Sequence, residues 1–281
     1  MKTCWMIGLC ALLSAGNIFS QKSKIVVLTY KYKPGDQYRV TTSTYRNFST
    51  TSAVYSYSSY GETAFDVYQE VTAFDGEIYD MNAEIELTRY TREGENLTYK
   101  LQKILSGETF AFAFDRFGKI LEGSVKYEKS TGVKEKDRSA QLKLFENIFV
   151  PLPSFPVTIG DKWKIDDYYS KEKLYQLFGS EYGITSPSIS GAYKLESVDG
   201  AVARISLSVD VTGDGKFDDG QRKFGVNFLF KITGEYEFSI ADGKMKTGNV
   251  TAEMAGVGML DNKEVEFTGT ESTSFVVEKI K

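Results

Sequence analysis

The 281-residue chain contains no histidine, and its two cysteines, Cys4 and Cys10, both lie within the first ten positions. Each absence removes a chemistry. Without histidine there is no Ser-His-Asp or Cys-His relay and no imidazole for acid–base work near neutral pH. With no cysteine after Cys10, zinc sites of the usual kind have no ligands. What remains is carboxylate, lysine or tyrosine chemistry, and hard cations such as calcium. Proline is scarce at 5 residues. After the first twenty residues no apolar run approaches the roughly 20 residues that a membrane-spanning helix needs, so the mature chain is expected to be soluble. A strong charge of one sign is missing too. Setting Lys2 aside, 33 basic residues face 38 acidic ones, scattered along the chain. That balance offers no footprint for nucleic acid or anionic lipid surfaces.

Residues 1–20 read as a secretory signal peptide: Lys2, an apolar run from Trp5 to Leu13, small residues Ser14, Ala15 and Gly16, and cleavage before Gln21. A lipoprotein would need Cys10 as the acylated residue, but bulky Leu9 precedes it and it lies very early in the chain. Both cysteines would leave with the leader. A eukaryotic secreted protein of this size usually carries disulfides, so an exported bacterial protein of the periplasm or cell surface is expected. In that setting the triplets at Asn47, Asn96 and Asn249 are chance sequons.

Aromatics are plentiful, with 18 tyrosines and 19 phenylalanines, residues that suit half-buried pleated surfaces. They fall in a repeated pattern. Gly35-Asp36 recurs as Gly160-Asp161, Asp75-Gly76 as Asp199-Gly200, and Gly118-Lys119 as Gly243-Lys244, at offsets of 125, 124 and 125. After Gly76 the alternating residues Tyr79, Met81, Ala83, Ile85 and Leu87 are apolar. Ala203, Ile205, Leu207, Val209 and Val211 answer them at offset 124. Such period-two runs between Asp-Gly turns predict antiparallel strands joined by hairpins. Phe110, Phe112 and Phe114 correspond to Tyr236, Phe238 and Ile240 at offset 126. That phenylalanine row reads as core, or as the lining of a hydrophobic cavity.

The expected fold is therefore mainly β: two repeated antiparallel units, as curved sheets or half-barrels, with one or two short helices. Unit one covers 21–150 and ends in a helix over 139–149, stopped by Pro151 and Pro153. Unit two covers 151–281, with a short helix over 171–178 between Ser170 and Gly179.

Three features bear on chemistry. Glu84 and Glu86 have the spacing of a carboxylate pair, but on a strand they share the polar face. No catalytic residue is assigned. The stretch Asp210 to Gln221 has acidic or hydroxyl side chains at Asp210, Thr212, Asp214 and Asp218, with Gly215 at the sharp-turn position of a calcium loop. Gln221 replaces the bidentate glutamate and no helix precedes it. An acidic hairpin loop is the favoured alternative, and no other cofactor is implied. Thr41 to Tyr60 is rich in serine, threonine and tyrosine, a pattern for stacking sugar rings or simply for β-formers on a wet face.

The stretches GETFAFAFDRFGKILE (107–122), FPVTIGDKWKID (155–166), GAYKLESVDGAVARISL (191–207) and GEYEFSIADGKMKTG (234–248) resemble a family of exported bacterial β proteins, the domain of unknown function 6263. The resemblance runs from about Tyr30 to Phe275. It implies an architecture and carries over no activity, ligand or site residue. The Asp210 loop is not part of its pattern. These readings converge on a non-enzymatic envelope protein that binds a hydrophobic ligand or a protein partner. A carbohydrate-binding or carbohydrate-active protein, and a scaffold with no small ligand, stand as alternatives.

Overall fold

Six turns set the frame. Gly35, Gly76 and Gly118 in the first half, and Gly160, Gly200 and Gly243 in the second, all take positive φ, between 57° and 105°. They are the glycines of the sequence repeat, and the hydrogen bonds around the first pair repeat with them. Gly35 N donates to Val71 O and Val71 N to Asp36 O, while Gly160 N donates to Leu195 O and Leu195 N to Asp161 O. A register shift between Val71 and Ala73 recurs between Leu195 and Ser197. Local geometry is thus duplicated down to the bulge, which increases local twist.

The structure is a computed structural model that describes residues 25–52, 55–129, 148–167, 187–218, 223–260 and 262–281. The leader at 1–20, the helix expected over 171–178, and all but Ile148 and Phe149 of the helix expected over 139–149 lie outside the described residues. In chain order come β1 (Gln37–Ser52), β2 (Tyr55–Phe74), β3 (Ile78–Arg92), β4 (Glu95–Asn96), α1 (Thr98–Leu105), β5 (Glu108–Asp115) and β6 (Lys126–Lys129). Then follow β7 (Lys162–Lys164), a 3-10 turn at Ile165–Asp167, β8 (Ser188–Asp199), β9 (Val202–Asp218), β10 (Lys223–Ser239), β11 (Lys244–Leu260) and β12 (Lys263–Lys279). All pairs are antiparallel, in the order β6-β5-β3-β2-β1-β12-β11-β10-β9-β8-β7, with β4 on β3. The two halves share one sheet, because β1 pairs with β12 from Tyr38–Lys279 through Ser52–Val265. The sheet stays open, and its edge strands β6 and β7 are short and carry lysines, which discourages further strand addition.

One face of the sheet is apolar. Met81, Ile85 and Leu87 on β3, and Ile205, Val209 and Val211 on β9, are buried as the period-two pattern requires. The sheet also curls. Five strands separate β5 from β10, which on a flat sheet is about 29 Å at 4.8 Å per step. Yet Phe114 of β5 and Phe238 of β10 both touch the ring of Tyr30, at centroid distances of 6.2 and 5.5 Å. The curl therefore wraps the apolar face inward around the segment that carries Tyr30. That segment crosses one end of the trough: Val26 bridges Val157, Tyr30 N donates to Arg116 O, and Lys31 N donates to Gly243 O. Phe110, Phe112 and Phe114 pack in this closed end, with Phe149 4.6 Å from Phe114, so the phenylalanine row is core.

Helix α1 was not expected. Its eight residues give about two turns, too few for a helical period to stand out between strands. It sits behind the β3–β4 turn, where Thr98 Oγ1 accepts from Tyr90 N and donates to Tyr90 O.

Candidate functional site

Along β1 the even-numbered residues face inward: Tyr38, Val40, Thr42, Thr44, Arg46, Phe48 and Thr50. Strand pairing extends two of these positions into rows across five strands. One row is Val250–Thr273–Thr44–Thr63–Tyr90 and the next is Ala252–Glu271–Arg46–Gly61–Arg92. Residues directly opposite in antiparallel strands share a face, so these rows form a polar belt on the inner face. On the closed-end side lie buried Phe65, Leu87 and Phe275. On the other side lie Phe48, Met254 and Phe267. Most of the belt is half-buried, whereas the row on its closed-end side is buried.

The belt is knit by polar contacts. Thr44 Oγ1 and Thr273 Oγ1 are 2.9 Å apart. Arg46 Nε lies 2.6 Å from Glu271 Oε2, with the side chains 43% and 20% exposed. Thr42 Oγ1, just below, is buried with no protein partner. Gly61 opens the row between the two arginines: a Cβ there would come within 2.6 Å of the Thr91 carbonyl oxygen. The result is a hollow of about 200 Å³ lined by Arg46, Phe48, Gly61, Thr63, Tyr90 and Arg92 among others. Phe48 stacks on Phe267 at 6.1 Å, and Phe267 meets Phe228 edge-on at 5.6 Å. An aromatic wall thus stands beside a floor that carries two arginines.

A second polar cluster is a clamp. Asp36 accepts hydrogen bonds from Tyr38 Oη at 2.8 Å, Lys33 N at 3.2 Å and Lys279 Nζ at 2.5 Å, and Lys244 Nζ lies 3.4 Å away. Burial pushes its carboxyl up, but the bonds from Lys279, Tyr38 and Lys33 and the charge of Lys244 outweigh that and hold it well below the usual carboxylate range. The same carboxylate, after burial, holds the Tyr38 hydroxyl well above its ordinary range. Lys244 also lies 4.8 Å over the Tyr38 ring. Asp161, the repeat counterpart of Asp36, ties only its own turn through Thr158.

The clamp makes a pH prediction. The folded-state pKa of Asp36 is lowered, so its contribution is complete above the unfolded value of about 3.9 and is lost as pH falls below it. Asp36→Asn is expected to cost about 2 kcal/mol at pH 7. In urea titrations repeated at lower pH, the wild type should converge on the variant below about pH 4. A constant gap down to pH 2 would refute the clamp.

The residues singled out in the sequence sit elsewhere. Asp210, Thr212 and Asp214 alternate along the exposed face of β9, and Asp218 ends that strand. Alternate residues on an extended strand are about 6.7 Å apart, so they do not curl around a common centre. Residues 219–221 lie outside the described residues. Among the described residues, no group of three or more carboxylates could hold a metal ion. Glu84 and Glu86 lie on the exposed face of β3, where Tyr68 Oη donates to Glu86 at 3.4 Å. Tyr45 and Tyr60 are exposed on the outer face. Near Tyr45, Asn47, Ser49, Glu253, Thr268 and Thr270 line a hollow of about 300 Å³. The belt itself was missed. Its one visible signal was Arg46, a charge at the inward phase of a strand whose other inward residues are Tyr38, Val40, threonines and Phe48.

No family model matches the sequence, and no curated protein matches it. Among solved structures, the chain is similar in shape to one described by lipid–protein interactions in lipovitellin, with a TM-score of 0.49 and 10% identity over 88% of this chain and 25% of that one. It spans about a quarter of that chain's length. It is also similar to an outer membrane channel from Pseudomonas putida F1, with a TM-score of 0.24 and 8% identity over 89% of this chain and 97% of that one. Among the described residues, no helix is long and apolar enough to cross a membrane.

Proposed function

We propose that this chain is an exported, non-catalytic protein of the bacterial envelope that holds a hydrophobic ligand against the inner face of its sheet. One observation carries the reading. The half-buried strip of Phe48, Tyr90, Val250 and Ala252 lies inside a curled sheet that stops short of closing. A satisfied core would cover such residues. Ligand pockets combine apolar walls with a few placed polar groups, which is the composition of the belt. The lack of histidine and of cysteine beyond Cys10 supports binding rather than catalysis.

Native mass spectrometry of protein purified from the bacterial envelope tests this, together with titration by a fluorescent polyene fatty acid. Bound mass and saturable uptake are expected, with Phe48→Ser weakening uptake about tenfold, equivalent to about 1.4 kcal/mol. A clean apo mass with no saturable uptake would sink the reading.

A second reading has its own observation. Tyr45 and the polar hollow beside it on the outer face offer a flat, hydroxyl-rich surface of the kind that stacks and hydrogen-bonds sugars. Affinity electrophoresis in soluble polysaccharides, with Tyr45→Ala as control, decides it. Unretarded migration in every polysaccharide would end it.

A further inference from the structure

Resting on the proposed inner-face site, we infer that its ligand carries an anionic end group, a carboxylate or a phosphate, held between Arg46 and Arg92 above Gly61. The two arginines stand one on each side of Gly61 in a single cross-strand row. Their backbones are therefore about 10 Å apart, two strand spacings. Both line the same hollow, and no side chain can fill the gap, because a Cβ on Gly61 would strike the Thr91 carbonyl. The notch is built into the sheet.

Each arginine of the row has a carboxylate near its Nε edge, which leaves the other end of the fork toward the hollow. Arg46 and Arg92 face one carboxylate in it, Glu271, which takes the Nε edge of Arg46. Glu93 stands 3.8 Å from Arg92 on the turn. A guanidinium has five N–H donors in a planar fork, and that fork matches carboxylate and phosphate oxygens two at a time. Thr63 adds a hydroxyl to the same wall. An uncharged end group would displace water from the arginines without replacing its bonds.

The hollow also fixes where the rest of the ligand goes. At about 200 Å³ it takes an end group and the first few methylenes of a chain. Phe48 and Tyr90 line it as well, and from Phe48 the aromatic wall continues to Phe267 and Phe228. An acyl chain attached to the anion runs along that wall.

The test uses three probes with one chain: dodecanoate, dodecyl phosphate and dodecanol, each displacing the fluorescent fatty acid from the mature protein at pH 8. At least one anion should bind about tenfold more tightly than the alcohol. Arg92→Gln should remove most of that advantage while leaving the alcohol unchanged, and Arg92→Lys should restore part of it. Arg92 is 58% exposed, so its variants should fold, which a melting curve checks. Arg46→Gln is made together with Glu271→Gln, so that no carboxylate is left unpaired, and should act in the same direction. Whichever anion binds better identifies the end group. Equal affinity for acid, phosphate and alcohol would overturn this inference and leave the hydrophobic site standing. Binding of none of the three would overturn both.

Discussion

Replacing Tyr30 with alanine should lower the stability of the whole protein by about 4 kcal/mol, near the top of the range for a single buried aromatic. The ring is 2% exposed and touches Phe114, Phe149 and Phe238, so it joins β5 and the end of the first half to the second half. Its hydroxyl donates to Val150 O at 3.1 Å, and burial holds that hydroxyl far above its ordinary pKa, so it stays a donor. Tyr30→Phe keeps the packing and loses one buried bond, so it should cost only about 1 kcal/mol. The bond from Tyr79 Oη goes to the main-chain carbonyl of Tyr30 and survives both changes. Trp163 makes the measurement specific. It is buried in the second half, its Nε1 donates to Pro151 O, and apart from Trp5 it is the only tryptophan in the chain. In urea, its fluorescence and the far-UV circular dichroism should shift together in Tyr30→Ala. A dichroism transition that moves while the Trp163 transition stays put would show that the halves unfold independently.

The turn and strand plan was legible because its causes are local. A glycine that must take positive φ, or a strand that buries one face, leaves its mark within ten residues, and duplication printed the marks twice. Pairing between the halves left no such mark. The β1–β12 register joins residues more than 200 positions apart, and it alone brings Glu271 beside Arg46, while Gly61 and Arg92 join the row through β1–β2 and β2–β3. The stretch from Asp210 admits two local readings, a calcium loop and the favoured acidic hairpin, and pairing with β10 keeps residues 210–218 extended. Gly213 and Gly215 sit opposite Phe228 and Val226 on β10, and pairing runs on to Asp218–Lys223. Gly215, the glycine at the sharp-turn position, is thus one where the sheet lays a larger residue, Val226, across a strand.

That use of glycine supplies the second large effect. On β11, Gly248 faces inward with Phe275 on one side and Tyr236 on the other. A Cβ at Gly248 would come within 2.3 Å of Phe275 Cε1 and 2.7 Å of Tyr236 Cδ1. Gly256 repeats the arrangement between Phe228 and Phe267, and Gly269 sits opposite Phe48. Rings lying over glycines let neighbouring strands close up on the inner face, which is how a sheet curls tightly. Gly248→Val should therefore cost about 3 kcal/mol, the upper range for forcing atoms into a packed site. Gly248→Ala, with one methyl, should cost about 2 kcal/mol. Phe275→Leu alone should cost about 1 kcal/mol, but it removes the ring edge that the methyl strikes. The double variant should then be less destabilised than the two single changes added together, with a coupling of about 1 kcal/mol in the cycle. Strict additivity in urea unfolding would mean that Gly248 is not there to admit the ring. The curl of the sheet, and with it the trough that holds the Arg46–Arg92 notch, would then need another cause.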